Sequence, residues 1–253
     1  MKNLIGVNLN SYLGQREAVW EHLPRTPIRH IEADKAELGD PEALARKLAQ
    51  SGLALSSAVV RLKLDDPDVV AAFEVQIPTA VRFGATKLFT SVKAGETPKA
   101  QAYATLRRLG DAAQKHGVYL CLETHPDLMT NGDTARATME AVAHPHVRMN
   151  FDTANLYFYT RGINAVDELR KVIEFVGAVH LKETDGGYQS WHFPALGEGV
   201  VDFPKVFELL AERNFHGPFN LELEGIKDEQ IDLDGIRRRI DRSAAYLQEI
   251  GVL

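Results

Sequence analysis

Residues 118–127 read VYLCLETHPD: an apolar, β-favouring run (Val118, Tyr119, Leu120, Cys121, Leu122) turns ionisable at Glu123, Thr124 and His125, and Pro126 stops it. Strand side chains alternate, so Glu123 and His125 share one face and Thr124 takes the other. A strand that becomes ionisable in its last residues delivers those groups to one end of a sheet. The change recurs downstream. VRMNFDTAN (147–155) ends in Asp152, VGAVHLKE (176–183) in His180 and Lys182, and PFNLELEG (218–225) in Glu222 and Glu224. Four successive strand ends carry Glu, Asp, His and Glu, which predicts a metal site.

Outward from these runs, eight strand-like segments alternate with helix-like ones. Strands are predicted at Leu4–Asn10, Ile28–Asp34, Leu53–Leu62, Thr86–Val92, Val118–His125, Val147–Asn155, Val176–Glu183 and Pro218–Gly225. Amphipathic stretches fill Gln15–Leu23, Pro41–Gly52, Pro67–Gly84, Pro98–Gly117, Asp133–Ala143, Ala165–Phe175, Asp202–Phe215 and Leu233–Ile250. Asp40-Pro41, Asp66-Pro67 and Thr97-Pro98 each set a capping residue before a first-turn proline, and Gly52, Gly84 and Gly117 sit where C-terminal caps belong. Strands alternating with helices imply a parallel sheet. No linker, low-complexity segment or charge block divides the chain. The expectation is therefore an α/β fold, a single-domain (β/α)8 TIM barrel over residues 1–253, close to the roughly 250 residues such barrels use.

In that fold the active site lies at the C-terminal ends of the strands, where the ionisable residues fall. Glu123 to Asp152 is 29 residues and Asp152 to His180 is 28, one βα unit each. His180 to Glu222 is 42, because the loop Thr184–Val201 is unusually long. It is rich in glycine and aromatics, as lids and binding loops are.

Hydrophobic residues at 45% and charged ones at 25% allow a sizeable core. A net charge of −6 argues against a nucleic-acid scaffold, which shows a basic face. Cys121, the one cysteine, lies mid-strand and reads as a buried inert thiol. The N-terminal MKNLIGVNLNS is too short an apolar run for a signal peptide, and no window is long enough to span a membrane; a cytoplasmic protein is expected.

Three carboxylates and an imidazole suit Mn²⁺, the first choice, or Mg²⁺, Co²⁺ or Zn²⁺. One such divalent cation could grip a sugar's carbonyl and hydroxyl oxygens and stabilise an enediolate, while Glu123 and Glu222 remove and return the proton from opposite faces.

Together LETH (122–125), NFDTAN (150–155), HLKE (180–183), GEGVVDF (197–203) and GPFNLELEG (217–225) resemble the xylose-isomerase-like TIM barrel superfamily. Its sugar phosphate isomerases/epimerases, ketose 3-epimerases and inosose dehydratases are the nearest in pattern. The resemblance is strong over strands five to eight and weaker before them. It implies Glu123, Asp152, His180 and Glu222 as metal ligands, Glu222 being preferred to Glu224 because the family's glutamate follows a glycine, here Gly217, by five residues. Many relatives carry a histidine three residues after the strand-six aspartate; this chain has Asn155. The superfamily's apurinic-site endonucleases add histidines after strands three and four. VVRLKLDD (59–66) and LFTSVKAG (88–95) contain none.

The expected function is a divalent-metal-dependent sugar isomerase or epimerase. A keto-sugar or inosose lyase/dehydratase on the same metal site is the alternative, with a non-catalytic sugar-binding barrel and an endonuclease behind it. Expected substrate contacts are His125 (a substrate contact or an orienter of Glu123), Asn155, Lys182, Asp185, Trp191, His192, Glu32 and Glu224, with Glu224 or Asp185 as a rival ion-pair partner for Lys182. For Glu32 a solvated loop acid is the equal rival. Partners are a sugar or keto-sugar, no nucleic acid and no membrane, with a homo-oligomer left open. Arg148 shares parity with Asp152, which would put an arginine inside the barrel unless the strand is irregular.

Overall fold

Eight parallel strands pair in chain order until the last meets the first. They are β1 (Ile5–Asn8), β2 (His30–Ala33), β3 (Ala54–Val59), β4 (Lys87–Thr90), β5 (Tyr119–Glu123), β6 (Val147–Asp152), β7 (Val176–Leu181) and β9 (Phe219–Leu221), which pairs with both β7 and β1. A two-residue ribbon, β8 (His192–Phe193) against β10 (Gly225–Ile226), lies outside the barrel and runs antiparallel. The computed structural model describes residues 2–253. No helix among them is long and apolar enough to cross a membrane.

The longer connecting helices are α3 (Pro41–Ser51), α4 (Val69–Arg82), α5 (Lys99–Lys115), α6 (Gly132–Val142), α8 (Ala165–Val172), α9 (Phe203–Glu212) and α10 (Leu233–Glu249); α1 (Val19–His22), α2 (Lys35–Leu38) and α7 (Asn155–Tyr159) are single turns or little more. The helix expected over Gln15–Leu23 is broken into α1 and flanking 3₁₀ turns. Asp40 caps α3 by accepting from the Ala43 N–H. Asp66 does not cap α4: it accepts from the Asp68 N–H, and the helix starts at Val69. Pro98 is itself the N-cap of α5. Gly52, Gly84 and Gly117 adopt the left-handed φ values of 68°, 82° and 69° expected after helix ends.

Every strand is shorter than its apolar run suggests. The strands end before the ionisable runs do: the N–H groups of Thr124 and Glu222 still donate across to the Asn150 and Leu181 carbonyls, while His125, Lys182 and Glu224 stand above the sheet. Outward-facing residues (Leu120, Leu122, Met149, Phe151, Val179, Leu181, Phe219) are buried under Phe73, Leu106, Leu109, Met139, Leu169, Phe207 and Leu210 of the helices. Inward-facing ones (Asn8, Glu32, Asn150, Asp152, His180, Asn220) are polar and equally buried.

The Arg148 parity problem resolves at the opposite end of the barrel. Met149 pairs with Val176 but Asn150 with Ala178, leaving Gly177 as an extra residue. Arg148 lies over that glycine at the N-terminal mouth, and its guanidinium donates outward to the Glu174 carbonyl. Cys121 is a buried free thiol whose pKa burial pushes up to about 12.

A Cβ on Gly177 would lie 2.6 Å from the Arg148 Cβ. Gly177→Ala is therefore expected to destabilise by about 1–3 kcal/mol, as overpacking does. For a chain of this size each kcal/mol lowers the melting temperature by roughly 2–4 °C. Thermal unfolding followed by circular dichroism checks this; an unchanged midpoint would show that the bulge yields freely.

Candidate metal centre at the C-terminal mouth

Each member of the candidate ligand set is delivered by a different strand. Glu123 ends β5, Asp152 ends β6, His180 is the fifth residue of β7, and Glu222 follows β9. Each offers a ligand atom such that all four atoms lie within 4.8 Å of one another, and all four residues are buried.

The surroundings aim these groups. Asp152 Oδ1 accepts from the Ala154 and Asn155 N–H groups, both at 2.8 Å, while the Asp152 N–H donates to Thr124 Oγ1. Its other oxygen, Oδ2, is buried without a hydrogen-bond partner. Glu123 accepts from the Ser91 hydroxyl. His180 stands edge-on to Phe89 at 4.5 Å, and its Nε2 lies 2.9 Å from Glu32 Oε2. Its Nδ1 faces Glu123 Oε1 at 3.3 Å and Glu222 Oε2 at 3.2 Å, again without a hydrogen-bond partner. Two orphaned polar atoms, one N and one O, thus point into the same acidic space, which is what a hard divalent cation requires.

The charges of the cluster press on one another. Burial, reinforced by Glu222 and Glu123 against the opposing Lys182, pushes the Asp152 pKa up to about 7. Burial disfavours a charged His180, but Glu222 and Glu32 outweigh it and hold its pKa well above the usual range. Burial likewise opposes a charged Lys182, and Asp152, Glu222 and Glu224 overcome it. Burial opposes a charged Glu222 too, yet His180 and Lys182 hold its carboxyl well below the usual range.

Lys182 is the cationic neighbour of the cluster. Its Nζ lies 3.0 Å from Glu222, 3.1 Å from Asn155 Oδ1 and 3.5 Å from Asp152, and it also pairs with Glu224. Asn155 in turn donates to the Thr124 carbonyl, so it steadies Lys182 from the side. Above them opens a cavity of about 780 Å³. His125, Asn155, Lys182, Trp191 and Glu224 line it, together with Phe158 and Tyr159.

Three expected substrate contacts stand elsewhere. Asp185 is exposed and folds its own loop, accepting from the Gly187 N–H and the Ser190 hydroxyl, so it neither pairs with Lys182 nor reaches the cavity. His192 lies in the β8 rung and does not line the cavity, whereas its neighbours Trp191 and Phe193 do. Glu32 is neither substrate-facing nor solvated: it is 1% exposed, beneath His180. His125 packs edge-on against Tyr159, and Ser91 rather than His125 holds Glu123.

Several contributors carry little sequence signal. Ser91 lies just beyond the end of β4, Tyr159 is the last residue of the short α7, and Glu183 is hidden in HLKE. The Glu183 carboxylate accepts from the N–H groups of Thr184, Gly197 and Val201, tying both ends of the long loop to β7. Asn8 and Asn220 were the findable ones, since each is a polar residue on the inward parity of an apolar strand.

A closed α/β barrel carrying a buried Glu–Asp–His–Glu cluster at its C-terminal mouth defines a recognisable class. The chain belongs to the xylose isomerase-like TIM barrel family, whose sequence model matches residues 18–250. It is 26% identical over 208 residues to a ketose 3-epimerase of Arthrobacter globiformis, covering 72% of this chain and 68% of the relative. It is 28% identical over 135 residues to an inosose dehydratase of Serratia proteamaculans, covering 46% of this chain and 44% of that one, so the match spans less than half of that relative. The fold is shared with a xylose isomerase-like TIM barrel protein from Mycobacterium smegmatis in complex with magnesium (TM-score 0.74, 21% identity, 99% and 97% coverage).

Trp191 is 42% exposed, packs edge-on against Phe158 and Phe193, and borders the cavity. Trp191→Ala is expected to raise KM several-fold with a smaller effect on kcat. Steady-state kinetics test this, and two unchanged constants would remove the loop from substrate binding.

Proposed function

We propose that this protein is an enzyme that epimerises, or isomerises, a ketose or related keto-sugar by removing and returning a proton next to the carbonyl. One divalent cation, Mn²⁺ first, would be held by Glu123, Asp152, His180 and Glu222. The observation that supports this most is the convergence of those four buried groups, of which Glu123 and Glu222 line an aromatic-walled cavity. The ketose 3-epimerase and inosose dehydratase relatives support enzymatic chemistry of this kind.

The bound cation would supply charge stabilisation to neighbouring carbonyl and hydroxyl oxygens. The chain's own residues do the rest. Glu123 and Glu222 stand on strands separated by β6 and β7, which suits proton transfer on two faces of one carbon. Ser91 fixes the carboxylate of Glu123, and Lys182 keeps Glu222 ionised and in place. Phe158, Tyr159, Trp191 and Phe193 offer faces to the carbon skeleton and displace water from the mouth. No metal-type histidine stands after β3 or β4, whose cavity-lining residues include Arg61, Lys63, Thr90 and Ser91; this supports sugar chemistry over a nuclease.

The test is a panel of ketoses and 3-keto sugars incubated with Mn²⁺-loaded protein and followed by proton NMR. An epimer or isomer is expected; a dehydrated product would replace the proposal with the lyase reading. Chelation should abolish turnover and Mn²⁺ restore it. Glu222→Gln should keep the circular dichroism spectrum while lowering kcat by at least the roughly 10²–10⁴-fold that general acid–base catalysis contributes. Unchanged activity in that variant would take Glu222 out of the mechanism.

A further inference from the structure

Glu32 is used by none of the chemistry above, yet it is the most heavily hydrogen-bonded carboxylate in the barrel. It accepts from Asn8 Nδ2 at 2.7 Å, Ser57 Oγ at 2.7 Å and Asn220 Nδ2 at 3.0 Å, and faces His180 Nε2 at 2.9 Å. The carboxylate sets the orientation of its partners. Facing an acceptor, Asn220 must turn its NH₂ to Glu32, which leaves its Oδ1 2.6 Å from the Ser56 hydroxyl, itself 2.9 Å from the Ile31 carbonyl. That NH₂ also donates to Ser57 Oγ at 2.8 Å, which leaves the Ser57 hydrogen for Glu32.

The backbone is shaped for this lattice. Leu55 pairs with Ile31 but Ser57 with Glu32, so Ser56 is an extra residue and two consecutive serines reach Asn220. Gly6 leaves the space: a Cβ there would lie 2.5 Å from Asn220 Oδ1 and 2.6 Å from Ser56 Oγ. β1, β2, β3 and β9 thus build a rigid acceptor against the one ligand that is not a carboxylate.

We propose that Glu32 is a positioning residue that fixes His180 in the tautomer protonated at Nε2, presenting the bare Nδ1 as the metal-binding atom. The inference rests on the metal site proposed above. An acceptor-only carboxylate demands a donor from the nitrogen facing it. In a neutral imidazole the lone pair must then sit on Nδ1, the nitrogen that faces Glu123 and Glu222. A carboxylate behind a ligating imidazole fixes its orientation and raises its basicity, and losing such a partner typically weakens metal binding about 10–100-fold.

Two measurements test this. Electron paramagnetic resonance titration of free Mn²⁺ gives Kd for the wild-type protein and for Glu32→Gln, whose amide can present either a donor or an acceptor. A rise in Kd of about 10–100-fold is expected. Equal affinities in a variant that folds would overturn the role of Glu32, whereas a wild-type protein that binds no Mn²⁺ would overturn the metal site itself. ¹⁵N-histidine NMR of the Mg²⁺-loaded wild-type protein, with the His180 signal assigned by its loss in His180→Gln, reads the tautomer without altering Glu32. A proton on Nε2 and none on Nδ1 is expected. The reverse tautomer would refute the proposal even if Glu32→Gln failed to fold.

Discussion

Three carboxylates that meet within a few ångströms, out of contact with water, repel one another unless positive charge stands between them. This constraint organises the mouth of the barrel. Glu123, Asp152 and Glu222 converge from three walls, and the protein supplies His180 among them and Lys182 beside them. Hydrogen bonds hold one oxygen of Asp152 and of Glu123 and leave the other facing inward, whereas the inward oxygen of Glu222 is held by Lys182. A parallel barrel suits the task because all its strands end on the same side, so residues 99 positions apart (Glu123 and Glu222) become neighbours.

The barrel divides its labour unevenly. β5, β6, β7 and β9 carry the candidate ligands, while β1, β2 and β3, joined by Asn220 of β9, carry the polar lattice beneath His180. The interior is therefore rich in polar groups, interrupted by Phe89, Cys121 and Ala178, and most of the apolar core lies outside the sheet, between strands and helices. Buried polar groups are tolerable only when each is satisfied. The serine, asparagine and glutamate side chains of the lattice meet that condition, whereas Asn150, deeper in the barrel, has no partner for either end of its amide.

Much of this was legible before any coordinates. The change from apolar to ionisable in LETH, NFDTAN, HLKE and LELE is a direct record of strands that leave the core and enter a mouth. Strand lengths were overread because that same continuity of character runs past the last ladder hydrogen bond, so His125 and Lys182 looked like sheet residues. Asp185 and His192 are hard to place from sequence because nothing in a glycine-rich loop reveals which side chains turn inward. Glu32 is hard to place from sequence because its partners, Asn8, Ser57, His180 and Asn220, lie 24, 25, 148 and 188 residues away. Alternation shows that a side chain points inward, not how deep it sits or what waits there. Arg148 is the same lesson at the other end: parity does not tell that the residue sits at the N-terminal mouth, beside the extra Gly177, with its guanidinium turned out to the Glu174 carbonyl.

The small ribbon of β8 and β10 ties the loop carrying Trp191 to the segment that follows β9. Glu224 is the residue before that segment, and it holds Lys182 from above. The flap and the acidic rim are consequently one mechanical body. Lifting the Trp191 backbone either breaks the two-residue ribbon or drags Glu224 with it, so loop position and the electrostatic balance around Lys182 change together.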